Sequence, residues 1–504
     1  MRAHLPEPAM SPRLFACAAA LVLVGAACGS PDGGDPGLDP AADSDGDHIN
    51  DGDEGGAVPV DTDGDDVPDY QDPDSDGDGI DDYREAGDAD PVTPPVDSDH
   101  DGTPDFQDTD ADDNGITDGV DEAGDFDGDG VPDFQDGDDD GDGLPDRGEV
   151  GDPAHPVDTD GDGLPDYHDL DSDADGLLDA DETQGDSDGD GVRDPVDPRN
   201  DGPPPTLVFT AISTAFNNPI GIDYHEPTGS VVMSVNYPNG SPLNLERVEL
   251  DGSHVSFSNF NSQSDEVKIA TVRSGGIGGF TPGDLFVGNG VDGEIARVSA
   301  DGGTVTNPWV SLPGNGNGLM RGAMYVDRTG VMGGDLIVVT DAGELWRVTA
   351  AAAPTRLAAT GVHLEGMIVV PPFPARFGPL AGTIIAGAEQ QGVMYVFAPD
   401  GTFTTVNLGV AIEDIDLVTP GENFFGVNYG TGRLLGVPRE TWAPITGDIV
   451  LTTETVTAGT SGLFRIYWNG ATLVAQPLPL GAGSATVGQW EHVTFAAAGI
   501  VEIP

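Results

Sequence analysis

Between Asp43 and Asp201 one 12-residue frame recurs ten times, and it leaves the segment little to fold around except cations. The frame has Asp at positions 1, 3 and 5, usually Gly at 6, an apolar residue at 7, Asp at 9, and Asp or Glu at 12. Copies begin at Asp43, Asp61, Asp74, Asp97, Asp110, Asp125, Asp138, Asp158, Asp171 and Asp186. A hard divalent cation such as Ca2+ takes roughly six to eight oxygen ligands. A tight loop can offer carboxylates from 1, 3 and 5, a backbone carbonyl from 7, a water-mediated contact from 9 and a closing carboxylate from 12. Glycine at 6 supplies a turn that a Cβ resists. Ten copies exclude coincidence, so multiple bound Ca2+ ions are expected.

The expected ligands follow copy by copy. They are Asp74, Asp76, Asp78, Asp82 and Glu85; Asp97, Asp99, Asp101, Asp105 and Asp108; Asp125, Asp127, Asp129, Asp133 and Asp136; and Asp138, Asp140, Asp142, Asp146 and Glu149. The series continues with Asp158, Asp160, Asp162, Asp166 and Asp169; Asp171, Asp173, Asp175, Asp179 and Glu182; and Asp186, Asp188, Asp190, Asp194 and Asp197. The Asp43, Asp61 and Asp110 copies rank last, because His48 and Asp66 replace the Gly and Asn114 replaces the Asp at position 5.

The rest of the chain is different material. Of 504 residues, 91 are acidic and only 18 are Lys or Arg, for a formal net charge of -73. Such a surplus of carboxylates excludes nucleic acid as a partner and disfavours direct attraction to an anionic lipid surface. The acidity ends at Asp201-Gly202-Pro203-Pro204-Pro205, after which apolar runs are punctuated by Gly. Both cysteines, Cys17 and Cys28, fall in the first thirty residues. Leu14 to Ala27 is apolar, follows Arg13, and is too short to span a bilayer, so it reads as a secretory signal. Met10 would give that signal a more ordinary start. Gly25-Ala26-Ala27 before Cys28 resembles the lipobox of bacterial lipoproteins, although Gly25 stands where Leu is usual. That resemblance implies lipidation at Cys28 and, with Gly29 following, an outer-membrane protein facing the periplasm or the cell exterior. The expected organisation is a signal over 1–27, a linker over 28–42, repeats over 43–201, a Pro-rich linker over 202–205 and a second domain over 206–504.

The loops are not helix-flanked hands. Pro68, Pro104, Pro132, Pro145 and Pro165 occupy position 8, where proline cannot continue a helical ladder. Start-to-start spacings alternate between 13 residues and 15 to 23. The first member of each pair ends in Asp-aromatic-Gln/His-Asp, as in Asp133-Phe134-Gln135-Asp136. This alternation resembles the thrombospondin type 3 repeat, and the resemblance covers Asp43 to Asp201. It implies irregular backbone wrapped around a string of calcium ions with almost no apolar core. Neighbouring carboxylates repel by about 1 kcal/mol per pair even in water. The segment is therefore expected to be disordered without calcium and a semi-rigid stalk with it, at affinities of about 10⁻⁴ to 10⁻³ M.

From Thr206 onward short apolar runs alternate with Gly, Pro and Asn-Gly or Asp-Gly turns. Leu245-Glu246-Arg247-Val248 matches Ile295-Ala296-Arg297-Val298, and Leu345-Trp346-Arg347-Val348, Met394-Tyr395-Val396-Phe397 and Leu463-Phe464-Arg465-Ile466 continue the series. The aligned positions step by 50, 50, 49 and 69 residues. A Gly-Asp or Gly-Thr followed by an apolar run precedes most of them, at Gly283, Gly334, Gly382 and Gly447. About fifty residues with four strands each is the period of a propeller blade. The expected fold is an all-β six-bladed propeller, with Leu207 to Ile212 completing the last blade. Inner strands are expected to start near Pro219, Ile277, Arg321, Glu365, Glu413 and Glu491, with an insertion between Asn423 and Trp442. The pattern is similar to NHL-repeat and gluconolactonase-like propellers, and in the gluconolactonase-like ones channel acids hold a divalent metal.

If inner strands point their first residues at the channel, Arg321, Glu365, Glu413 and Glu491 converge there, beside His363 and His492. No Ser-His-Asp or Cys-His pattern supports a nucleophile, and the recurring Arg247, Arg297, Arg347 and Arg465 read as blade packing. The expected function is a cell-surface calcium-binding protein whose stalk presents a propeller for adhesion or for binding a protein or glycan ligand. The alternative is a surface propeller enzyme, metal-dependent and hydrolase- or lactonase-like.

Overall fold

The computed structural model describes residues 39–56, 58–121, 124–182, 184–186, 191–199, 203–236, 243–266, 268–274 and 277–499. The expected signal, the lipidation at Cys28, and Asp188 and Asp190 lie outside the described residues. The described residues fall into two compact units, one within Met1–Asp97 and Gly102–Thr109, the other within Ser98–Asp101 and Asp110–Pro504. No helix among them is long and apolar enough to cross a membrane.

Most repeats close on themselves in the same way. The amide of position 9 donates to the carbonyl just before position 1, as in Asp82 to Pro73, Asp146 to Gly137 and Asp179 to Leu170. The position-8 prolines are extended and lead into one-turn 3-10 helices such as Asp69–Gln71, Asp133–Gln135 and Asp166–His168. A residue with no N–H loses nothing there, since the first amides of a helical turn have no partner within it. The only α-helices in this segment, among the described residues, are the four-residue turns Asp82–Glu85 and Asp118–Asp121. Apolar packing is confined to small clusters such as Ile49, Ala86 and Phe106, or Ile116, Val150 and Tyr167.

The C-terminal region forms six four-stranded antiparallel sheets among the described residues. Their inner strands are Ile222–His225, Ile269–Thr271, Ala323–Val326, Glu365–Val369, Asp414–Leu417 and Trp490–Ala496. Each touches the next, and the last touches the first, so the ring closes into a six-bladed propeller. Leu336–Val339 and Ile384–Ala388, second strands of their blades, are fully buried, as expected for strands covered on both faces.

Two expectations are corrected. The segment from Asn423 to Trp442 is not an insertion: Asn423–Asn428 and Arg433–Val437 are the middle strands of the sixth blade, with Trp490–Ala496 inside them and Thr210–Ala211 outside. That blade is assembled from three separate pieces of chain, and strands from both ends of the domain close the ring. The second inner strand begins at Ile269, not near Ile277.

The recurring arginines pack the blades. Arg297 Nε lies 2.7 Å from Asp284 Oδ2, and Arg347 pairs with Asp335 and Arg465 with Asp448. Each Asp follows the Gly that opens the neighbouring strand. Where that Asp is Ser230 or Thr383 the pair is missing, and Arg247 turns to Glu249.

Candidate functional site

In most of the described repeats the carboxylates organise their own loop. Oδ1 of position 3 accepts the amide of position 5, and Oδ1 of position 5 accepts that of position 7, as in Asp140 to Asp142 to Leu144 and Asp173 to Asp175 to Leu177. Position 9 is committed to closure. Asp82 accepts the amide and hydroxyl of Ser75 at 2.7 and 2.6 Å, and Asp166 does the same for Thr159. Position 9 is therefore the rivet of the loop, a role its water-mediated assignment does not anticipate.

The remaining oxygens are turned inward. At position 3, Oδ2 of Asp76, Asp112, Asp140 and Asp173 is buried with no donor, and at position 5 the same holds for Asp47 and Asp142. At position 12 Glu54 has neither oxygen satisfied, and Glu149 and Glu182 each have one bare oxygen. Burial, reinforced by neighbouring carboxylates, pushes Glu149 and Glu182 up to about 9. Oxygens of Asp43, Asp45 and Asp47, of Asp61, Asp63 and Asp65, and of Asp74, Asp76 and Asp78 gather within 4.8 Å of one another. A buried anion with no donor is costly, and a hard cation is the group that such a donor set fits. The two copies with a replaced glycine keep the backbone shape: His48 and Asp66 take φ 83° and 79°, the left-handed region occupied by Gly143 at 94°.

The alternating spacing is also an alternation in burial. Asp61, Asp63 and Asp65, Asp125, Asp127 and Asp129, and Asp158, Asp160 and Asp162 are exposed. In the loops that follow, Asp76, Asp140, Asp142, Asp173 and Asp175 are buried. Asp175 also receives Arg376 of the propeller.

In the propeller the inner strands run from an acidic mouth to a basic one. Glu365, Glu413 and Glu491 do converge, with Arg321 and His363, on a cavity of about 290 Å3 at the first mouth. Glu266, Glu389 and Glu454 join them, and sequence reasoning missed all three because they sit outside the strand repeat, Glu389 at the start of a 3-10 turn. Three carboxyl pairs form: Glu365 with Glu413, Glu266 with Glu491, and Glu389 with Glu454. Beneath them Lys268 Nζ lies 2.9 Å from Glu413 Oε1 and is 1 % exposed. It is the only lysine in the chain, a signal that could have located it.

Burial raises Glu365, but the hydrogen bond from His363 and the charge of Lys268 outweigh it and leave this group at about 2. Burial and the adjoining Glu365 hold Glu413 well above the usual carboxylate range despite Lys268. The two neighbouring carboxyls are therefore pushed in opposite directions. His492 lies deeper in the wall, where its Nδ1 accepts the Ile222 amide at 3.2 Å, and burial together with Lys268 lowers it to about 3. At the opposite mouth Arg273, Arg328, Tyr325 and Phe373 line a second cavity of about 390 Å3.

No protein-family model and no curated protein matches the chain. Among solved structures it is similar to a streptogramin B lyase, at 12% identity over 55% of this chain and 88% of that one, with a TM-score of 0.33. A virginiamycin B lyase from Staphylococcus aureus matches at 12% over 55% and 89%, also with a TM-score of 0.33. A GH74 enzyme from Niastella koreensis matches at 16% over 54% and 47%, again at 0.33. Likeness at this level carries nothing about activity, and the six blades rest on the sheet pairings themselves.

Proposed function

We propose that this chain is an exported calcium-binding protein of the cell surface, anchored by lipid at Cys28, whose repeats form a calcium-set stalk for a ligand-binding or adhesive propeller. The observation that carries the calcium reading is the set of buried carboxylate oxygens without donors at positions 3, 5 and 12. Calcium supplies the missing counter-charge. Asp138, Asp140, Asp142 and Glu149, with the Leu144 carbonyl, would hold one ion, and Asp171, Asp173, Asp175 and Glu182, with the Leu177 carbonyl, another. Small-angle scattering with and without EDTA tests this reading: the expected result is expansion on chelation, and an unchanged radius of gyration overturns it.

A second reading, a propeller enzyme, is favoured by one observation. Glu413 and Glu365 stand side by side at an open cavity with proton affinities pushed apart, Glu413 up and Glu365 down, and two carboxyls so divided fit the roles of general acid and general base. Hydrolysis of a lactone and ester panel by the full chain, compared with Glu413→Gln and Glu365→Gln, tests it. Activity lost in both variants supports the enzyme; no turnover by the parent chain removes it.

A further inference from the structure

The Asp110 loop breaks the frame at position 5, and the break has a structural consequence. Asn114 Nδ2 donates to Asp121 Oδ2 at 2.9 Å, so an amide ties down the carboxylate of position 12. Its other oxygen, Asp121 Oδ1, is buried and receives no hydrogen bond. Beside it stand Asp139 and His168, with one ligand atom from each of the three within 4.8 Å of the others. Neither neighbour occupies a ligand position of the frame: Asp139 is position 2 of its loop and His168 is position 11 of its own. Asp139 is 1 % exposed, its Oδ1 has no donor, and its Oδ2 lies 3.1 Å from His168 Nε2. Phe126 stacks flat on the imidazole, with ring centroids 4.6 Å apart, and fixes its plane.

We propose that Asp121, Asp139 and His168 form a site for one borderline divalent metal of the Zn2+ class, separate from the oxygen-only calcium loops. The donor set decides the class, because an imidazole nitrogen with two carboxylates suits Zn2+ and its neighbours, whereas Ca2+ prefers oxygen throughout. The imidazole alone does not satisfy the site. It answers one oxygen of Asp139 and leaves two buried oxygens bare, which a metal would bridge while displacing any proton on Nε2. Sister loops show what position 11 does without a metal: it carries Gln71, Gln107 and Gln135, and Gln107 Nε2 simply donates to Asp69 at 2.7 Å. Histidine is the one member of that series with an imidazole nitrogen to offer a borderline metal. The three ligands come from three different loops, 18 and 29 residues apart, so the ion cross-links loops that calcium would brace only one at a time.

The test uses the tag-free full chain in saturating Ca2+, which fills the oxygen-only loops. Co2+ serves as the spectroscopic probe and Zn2+ as its competitor. One tight equivalent is expected, with visible bands of a nitrogen-containing site that Zn2+ abolishes. His168→Gln, which installs the side chain of the sister loops, should weaken Zn2+ at least tenfold while leaving scattering in calcium unchanged. Asp139→Asn should weaken it similarly. Zn2+ affinity unchanged by both substitutions, or complete displacement of Co2+ by excess Ca2+, overturns the site. The two readings fail separately: if EDTA leaves the radius unchanged, the calcium reading fails alone and the Co2+ titration still decides this one.

Discussion

Asp173 in the repeats and Asp448 in the propeller are buried to nearly the same degree, 3 % and 4 % exposed. Yet Asp173 keeps an oxygen with no donor, while Asp448 is met by the fully buried Arg465. The contrast runs through both regions. Between Asp43 and Asp201 the chain supplies four arginines and no lysine, whereas after Thr206 it supplies twelve basic residues, most of them placed against acids. The propeller brings its own counter-charges. On the proposed reading the repeats depend on cations from solution, which would make their order conditional on what the medium contains.

The largest expected effect separates the two regions by chelation. All five tryptophans, Trp309, Trp346, Trp442, Trp468 and Trp490, lie in the propeller and report on it alone. EDTA should abolish circular dichroism from the repeats and leave tryptophan emission unchanged. The pH dependence gives the sign. Without a cation, burial and then neighbouring acids raise Glu149 and Glu182 from 4.5 to about 9, and Asp173 from 3.8 to about 8. Folded repeats then hold more protons than unfolded ones across that window, so calcium-free order falls as pH rises through it. Calcium must displace the same protons, and its affinity therefore rises with pH. More structure should survive EDTA at pH 4.5 than at pH 8; equal loss at both would break the comparison.

A smaller effect grades the propeller's own pairs. Arg465 is 0 % exposed and Arg347 is 41 % exposed, in equivalent Arg–Asp clamps. Arg465→Ala strands a buried carboxylate and should cost about 3–5 kcal/mol. Arg347→Ala should cost about 1 kcal/mol, because water can replace an exposed guanidinium. Urea unfolding followed by tryptophan emission measures both, and equal losses would show that burial does not set the strength of the clamp.

Local chemistry was legible in the sequence; its assembly was less so. The 12-residue frame, the blade period, and the convergence of Glu365, Glu413 and Glu491 all follow from spacing. The sixth blade does not, because nothing local in Asn423–Asn428 says which sheet a hairpin joins. The second inner strand follows Lys268, several residues before the expected start near Ile277. Asp139 and His168 escaped notice because a frame read one loop at a time contains no contacts between loops. Sequence spacing reports which residues share an element, and a site built between elements needs the fold.

The smallest effect asks whether the repeats gain from relieved backbone strain only when calcium holds them. His48 and Asp66 sit at φ 83° and 79°, and Ala352 in the propeller sits at 58°. A non-glycine residue in this region costs about 1–2 kcal/mol, less for His and Asp, which enter it more readily. Ala352→Gly should therefore stabilise the propeller by about 1 kcal/mol whether or not calcium is present. His48→Gly and Asp66→Gly should do nothing in EDTA, where the loop conformation is not populated and glycine only adds freedom to the unfolded chain. In calcium they should tighten the weakest class of sites by about two- to fivefold, the equivalent of roughly 0.5–1 kcal/mol. Calorimetric calcium titration reads the shift. A gain from His48→Gly in EDTA as large as that in calcium would mean that the repeats, like the propeller, hold their shape unaided.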